Sequence, residues 1–236
     1  GRPASGLAGS SRPTVERSMS RQSNADWRTP IRVAATIAVV ALASAPHIAA
    51  QDVETQRDPA AVAEDYVRQM WSNAEPAWKD RLRQDETQAA CSRFRNAPPE
   101  DVAATIMARE AQTIVLPKDG PVLGTWQDGE KVAQSGRGGQ FSDTADTVNG
   151  GNCYACHEIA KSELSFGTLG PSLAQYGKLH GFSGDAARAT FGKIYNPQAT
   201  VACSNMPRFG AHGFLTEQQI KDVVAYLFDP DSPVNK

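Results

Sequence analysis

Residues 153–157 read Cys-Tyr-Ala-Cys-His, and no other stretch constrains the chain as much. Two thiols three residues apart beside an imidazole make C-x-x-C-H, the spacing at which a c-type haem is attached. Each thiol can add to one haem vinyl group as a thioether, and the adjacent histidine then faces the iron as proximal ligand. The geometry is expected at the start of a helix. Other chemistries for the same letters need settings that are missing. A thioredoxin-like pair needs a βαβ pattern, and no alternating strand pattern is present. A zinc site needs further Cys or His at ligand spacing, and none is close. A disulfide across two residues would be strained. The motif therefore predicts one covalently bound haem c on Cys153 and Cys156, with His157 on the iron.

Such an iron is completed by a sixth ligand, for which Met206, His180 and His212 are the candidates. Asn205-Met206-Pro207 stands in a Gly/Pro-rich loop just ahead of the last helical pattern, where a thioether can close over the distal face. A lone methionine is ordinarily core packing. The polar flanks Ser204, Asn205 and Arg208 favour the ligand reading for Met206, with the two histidines left open. Pro171, in Gly170-Pro171-Ser172-Leu173, follows His157 by fourteen residues. Its backbone carbonyl could accept the His157 Nδ1–H, fixing the ring and raising its basicity.

The charge distribution narrows the partners. Residues 1–50 carry six Arg against Glu16 and Asp26, while the remainder holds 18 Lys and Arg against 24 Asp and Glu. An acidic body without a basic cluster argues against nucleic acid, whose binding depends on neutralising phosphates. Arg28 and Arg32 stand at the head of an apolar run over 31–42, which gives way to small residues up to Ala50. That is the pattern of a secretory signal peptide, with cleavage expected near Ala50 and Met19 a candidate start. The run is too short to span a bilayer, so no membrane attachment is expected after cleavage. No Arg-Arg pair precedes it, which favours general secretion. The expected address is the periplasm.

Three regions follow: 1–50 as upstream segment and signal, 51–116 as a helical extension, and 117–236 as the haem-binding domain. Val62, Tyr66 and Met70 recur at i, i+4, i+8, predicting a helix from Asp58. A second piece is predicted from Glu75 to Cys91, with Pro76 in its first turn. A third, Glu100–Thr113, follows Pro98-Pro99 and places Val102, Ile106 and Glu110 on one stripe. With few large apolar residues, these helices read as an extension lying on the next domain. Residues 117–151 are glycine-rich, with a short helix predicted at 130–135. No G-x-G-x-x-G after a strand and no P-loop occurs, so no nucleotide site is indicated. In the last helix, Thr216 and Gln219 form a capping box. Ile220, Val223, Val224 and Leu227 make one face before Asp229-Pro230 stops it.

Cys91 and Cys203 remain once the haem cysteines are assigned. An even remainder in an exported protein is expected to pair, the alternatives being two free thiols or Cys203 bonded to a partner. A Cys91–Cys203 bond would staple the extension to the Met206 loop.

C-x-x-C-H, then Gly-Pro-Ser-Leu173, then Met206-Pro207, then a closing helix is the order seen in class I cytochromes c, an all-α fold. More narrowly, several strings resemble SoxX, the small cytochrome subunit of the SoxAX complex of bacterial thiosulfate oxidation. They are Gly129–Gly139, Asn149-Gly-Gly-Asn-Cys-Tyr-Ala-Cys-His157, Phe166–Leu173, Ile194-Tyr-Asn-Pro197, Met206-Pro-Arg-Phe-Gly210 and Leu215–Leu227. The resemblance covers about 117–230; the extension departs from the short members. It implies a heterodimer with a SoxA-like haem subunit and transient contact with a SoxYZ carrier and an acceptor cytochrome c. Catalysis would belong to SoxA, leaving this chain an electron-transfer subunit with no catalytic residue of its own. A free shuttle cytochrome and a haem enzyme with an open sixth site are the other function classes.

Overall fold

The structure, a computed structural model, describes residues 58–118 and 121–236, so the expected signal segment lies outside the described residues. Among them there are helices and turns and no β-strand, the all-α architecture that the sequence leads one to expect. No described helix is long and apolar enough to cross a membrane. Residues Ala60–Lys236 form one compact unit. The extension holds α1 (Pro59–Met70), α2 (Pro76–Arg81), α3 (Glu86–Arg93) and α4 (Glu100–Ala111). The rest holds α5 (Trp126–Gln134), α6 (Tyr176–Leu179), α7 (Gly184–Tyr195) and α8 (Glu217–Phe228), with 3₁₀ turns at Cys153–Ala155, Pro197–Ala199 and Pro233–Asn235.

Helix α8 is the centre of the core. Its capping box forms as the Thr216–Gln219 pattern predicts, and Ile220, Val223, Val224, Tyr226, Leu227 and Phe228 are all buried. Burial of adjacent positions means that α8 is enclosed on several sides, with α5, α6 and α7 packed around it. Helix α5 crosses it at Gly129, where an added Cβ would stand 2.0 Å from the Asp222 carbonyl oxygen. Glycine inside a helix costs about 0.5–1 kcal/mol relative to alanine, yet here only glycine admits the neighbouring backbone. Gly129→Ala is accordingly expected to destabilise rather than stabilise. Overpacking of about 3 kcal/mol would lower Tm by roughly 6–12 °C, readable by thermal denaturation of the haem-loaded protein.

The helix predicted at 130–135 in fact begins at Trp126. Its start has no side-chain cap of its own. Instead Asp222 Oδ1 on α8 accepts from the Thr125 N–H at 2.8 Å, and the Gly124 N–H donates to the Lys221 carbonyl at 2.9 Å. A cap supplied from 97 residues away leaves no local signature. The single piece predicted over 75–91 is two helices, because Asp85 opens a second capping box with Gln88 and starts α3 afresh. Helix α7 went unpredicted, although Ser183 caps it and Ala187, Phe191 and Ile194 bury one face at i, i+4, i+7. Helix α1 buries nothing: Tyr66 and Met70, expected to pack, are 62% and 76% exposed.

Candidate haem site

Cys153 and Cys156 are the unpaired cysteines among the described residues. They lie on and just after a single 3₁₀ turn rather than at the start of an α-helix, which corrects the sequence expectation. The Cys153 carbonyl accepts from both the Cys156 and His157 N–H groups, at 3.1 and 3.0 Å, so one tight turn carries all three side chains. Asn152 precedes it with φ 46°, a left-handed conformation that Asn adopts more readily than most residues. The turn hangs from the end of α5: the Gly151 N–H donates to the Val132 carbonyl at 2.7 Å and the Asn152 N–H to the Ser135 carbonyl at 2.9 Å. Burial pushes the Cys153 thiol up to about 12, as befits a sulfur set against the apolar core.

The segment after His157 folds back along the turn. The Gly167 N–H donates to the Tyr154 carbonyl and the Gly170 N–H to the Cys156 carbonyl, both at 2.8 Å. Neither glycine could carry a side chain. A Cβ at Gly167 would lie 1.9 Å from the Ala155 oxygen, and one at Gly170 2.1 Å from the His157 ring. This close approach puts the Pro171 carbonyl 2.7 Å from His157 Nδ1. An N–H there donates to the carbonyl, fixing the tautomer and leaving Nε2 as the free nitrogen, the state a metal-bound imidazole requires. Beneath the turn, the hydroxyls of Tyr154 and Tyr226 stand 2.8 Å apart and tie it to α8. Burial pushes the Tyr226 phenol above its ordinary range, so both tyrosines stay neutral.

Met206 is partly buried against the same core cluster that Cys153 borders. Its N–H donates to Ser204 Oγ at 3.2 Å. His180 sits beyond α6 with its ring 4.3 Å from that of Tyr176. His212 lies further along the Met206 loop, exposed, and burial followed by the neighbouring Arg208 charge lowers its pKa. Of the apolar residues flanking the motifs, Phe209 is buried in the core and Leu173 partly so. Leu169 is 68% exposed and Phe166 39%. Two unpaired thiols beside one turn, an imidazole open at Nε2, and a thioether packed on the same core as Cys153 fit covalent haem with two axial ligands. No described group of three or more His, Cys, Asp or Glu could hold a metal ion by itself.

Cys91 and Cys203 are joined in a disulfide spanning 112 residues of sequence. Beside it lies a polar cluster that the sequence reading passed over. Arg208, one of the polar flanks of Met206, is only 9% exposed. Its guanidinium meets Asp85 at 2.5 Å and Glu110 at 3.4 Å. Glu110 is 5% exposed and also accepts from the Thr87 hydroxyl and, at 2.7 Å, from Asn196 Nδ2. Burial pushes its carboxyl up, but these hydrogen bonds and the Arg208 charge outweigh it and hold it below the ordinary 4.5. A carboxylate depressed on folding stabilises the fold above its unfolded pKa, and that contribution fades as pH falls through the lower folded value. The available signal was Glu110 itself, a charge on an otherwise apolar stripe.

Residues 137–229 match the family model for cytochrome c. The chain is also 40% identical, over 193 residues, to a protein of Aquifex aeolicus (strain VF5) described as an uncharacterized lipoprotein, covering 80% of this chain and 90% of that one. A match over four fifths of the chain necessarily takes in the helical extension. Residues 137–229 are a cytochrome c domain, which implies covalently bound haem c and supports an electron-transfer role. A disulfide within the fold fits an oxidising, extracytoplasmic compartment.

Proposed function

We propose that this chain is a periplasmic, SoxX-type monohaem subunit, with Cys153 and Cys156 holding the haem and His157 and Met206 as axial ligands. The observation that carries the haem assignment is the 2.7 Å approach of the Pro171 carbonyl to His157 Nδ1, beside two unpaired thiols on one turn. The bound haem would supply a one-electron couple, and His/Met ligation raises its potential over His/His. The protein's part is to hold the ring of His157 in one orientation, keep Met206 in reach and exclude water with the α8 core. A filled sixth position favours electron transfer over substrate binding.

The finer assignment rests on the string 150–157 and the terminal helix string 215–227. In this reading, a SoxA-like partner joins thiosulfate to a SoxYZ cysteine: the thiol S–H bond breaks, one S–S bond forms, and one proton and two electrons are released. This chain takes them singly and hands them to an acceptor cytochrome c. The partly exposed Phe166 and Leu169 offer apolar contact area for a docked partner.

The test is purification of the natively expressed protein, followed by haem quantification, gel filtration and reduction by thiosulfate in the presence of carrier. One haem per chain, an apparent mass well above the single polypeptide and thiosulfate-dependent reduction are expected. A clean monomer at micromolar concentration that thiosulfate and carrier leave oxidised would overturn the SoxX assignment in favour of a free shuttle.

A further inference from the structure

The loop carrying Met206 is held at three points. Cys203 is bonded to Cys91 on α3. The Ser204 carbonyl accepts from Gln198 Nε2 at 3.0 Å. Arg208, two residues beyond Met206, ends in the carboxylates of Asp85 and Glu110. Two of the three anchors belong to the extension. Apolar packing between extension and loop is slight, a small cluster of Cys91, Ile106 and Cys203. A cleft of about 450 Å³ separates α3 from the loop beside it. Hydrophobic contact is non-directional and here small, so the placement of the loop falls to the directional groups. Glu110 is itself fixed: Asn196 donates to its carboxylate at 2.7 Å and to Thr113 Oγ1 at 2.8 Å, tying α4 to the end of α7.

We propose that the Arg208–Glu110 pair, with Asp85, is a positioning clamp through which the helical extension holds Met206 at bonding distance from the haem iron. This rests on the reading of Met206 as the sixth ligand. Arg208 and Glu110 touch neither haem nor iron; they act through the backbone of the loop. A guanidinium held by two carboxylates has few orientations open to it, because Nη1 donates to Glu110 and Nη2 to Asp85, fixing both prongs of the planar fork. Supporting groups of this kind decide whether a ligand is merely present or correctly placed. The extension is then a structural part of the redox site, which accounts for why helices that bury little of their own surface are bonded to that one loop.

The test uses the full haem-loaded protein and measures the imidazole concentration that half-displaces Met206, together with the reduction potential. Glu110→Gln and Arg208→Gln are expected to lower that concentration about tenfold with covalent haem content unchanged. Arg208→Lys, which keeps the charge but not the fork, should recover part of the loss. If both variants lose thermal stability but keep the wild-type displacement curve and potential, the cluster is merely structural and the clamp is overturned. Should Glu110→Gln fail to fold, Asp85→Asn, whose carboxylate is half exposed, is read instead, and a wild-type curve there also overturns the clamp. A wild-type spectrum that is unaltered by Met206→Ala would overturn the ligand reading itself, and the clamp with it.

Discussion

Met206→Ala leaves the haem on the chain and changes the iron. The thioethers at Cys153 and Cys156 do not involve the distal loop, so haem staining after denaturing electrophoresis should match wild type. Without the thioether sulfur, the iron becomes high-spin or recruits a histidine, and His212 is the candidate on the same loop. Axial ligation across haem proteins spans roughly 0.8 V of potential, so losing this ligand should move the midpoint far beyond the error of a redox titration, downward if a histidine replaces it. An unchanged low-spin spectrum at an unchanged potential would show that Met206 is not the ligand. The same experiment separates electron-transfer from open-site chemistry, since only an emptied site should bind small ligands freely.

Loss of the Cys91–Cys203 bond is expected to have the largest effect on stability. On the chain-entropy model, closing a loop of 112 residues restricts the unfolded chain by about 4–5 kcal/mol. For a domain of this size that is roughly 10–20 °C in Tm. Cys203 also sits at φ 59°, a region most side chains avoid, so the bond holds a backbone that would otherwise relax. Cys91→Ser should therefore lower Tm sharply and make Met206 easier to displace by imidazole, while covalent haem is retained. Peptide mapping without reductant should recover the linked Cys91 and Cys203 peptides from the wild-type protein. Two alkylatable thiols in the unreduced, unfolded wild-type protein, or a variant with wild-type Tm, would exclude the staple.

The chemistry of this protein is written locally. C-x-x-C-H spans five residues, and the tight turn at Cys153 is made by neighbours along the chain, so its meaning survives without tertiary information. The same holds for α8, where a capping box and an i, i+3, i+4, i+7 face are both short-range patterns. The fourteen-residue step from His157 to Pro171 was also legible, because the segment simply folds back along its own turn. Where the deciding partner is remote the sequence was silent, except that counting cysteines pointed to the Cys91–Cys203 pair. Helix α5 begins four residues before its predicted start because Asp222 caps it from α8. The sequence marked Arg208 only as a polar flank of Met206, and nothing local showed that Asp85 and Glu110 come from the extension to neutralise it. The apolar stripe of α1 promised a buried face and found none. The sequence by itself thus determined the cofactor chemistry, the helical class and the cores of the strongest helices, all of which depend on spacing within one or two turns. Tertiary structure alone decided where α5 begins, which charges are buried, and that Arg208 joins the cysteine pair in tying the distal loop to the extension. Those outcomes depend on groups separated by about a hundred residues, whose meeting no local periodicity records.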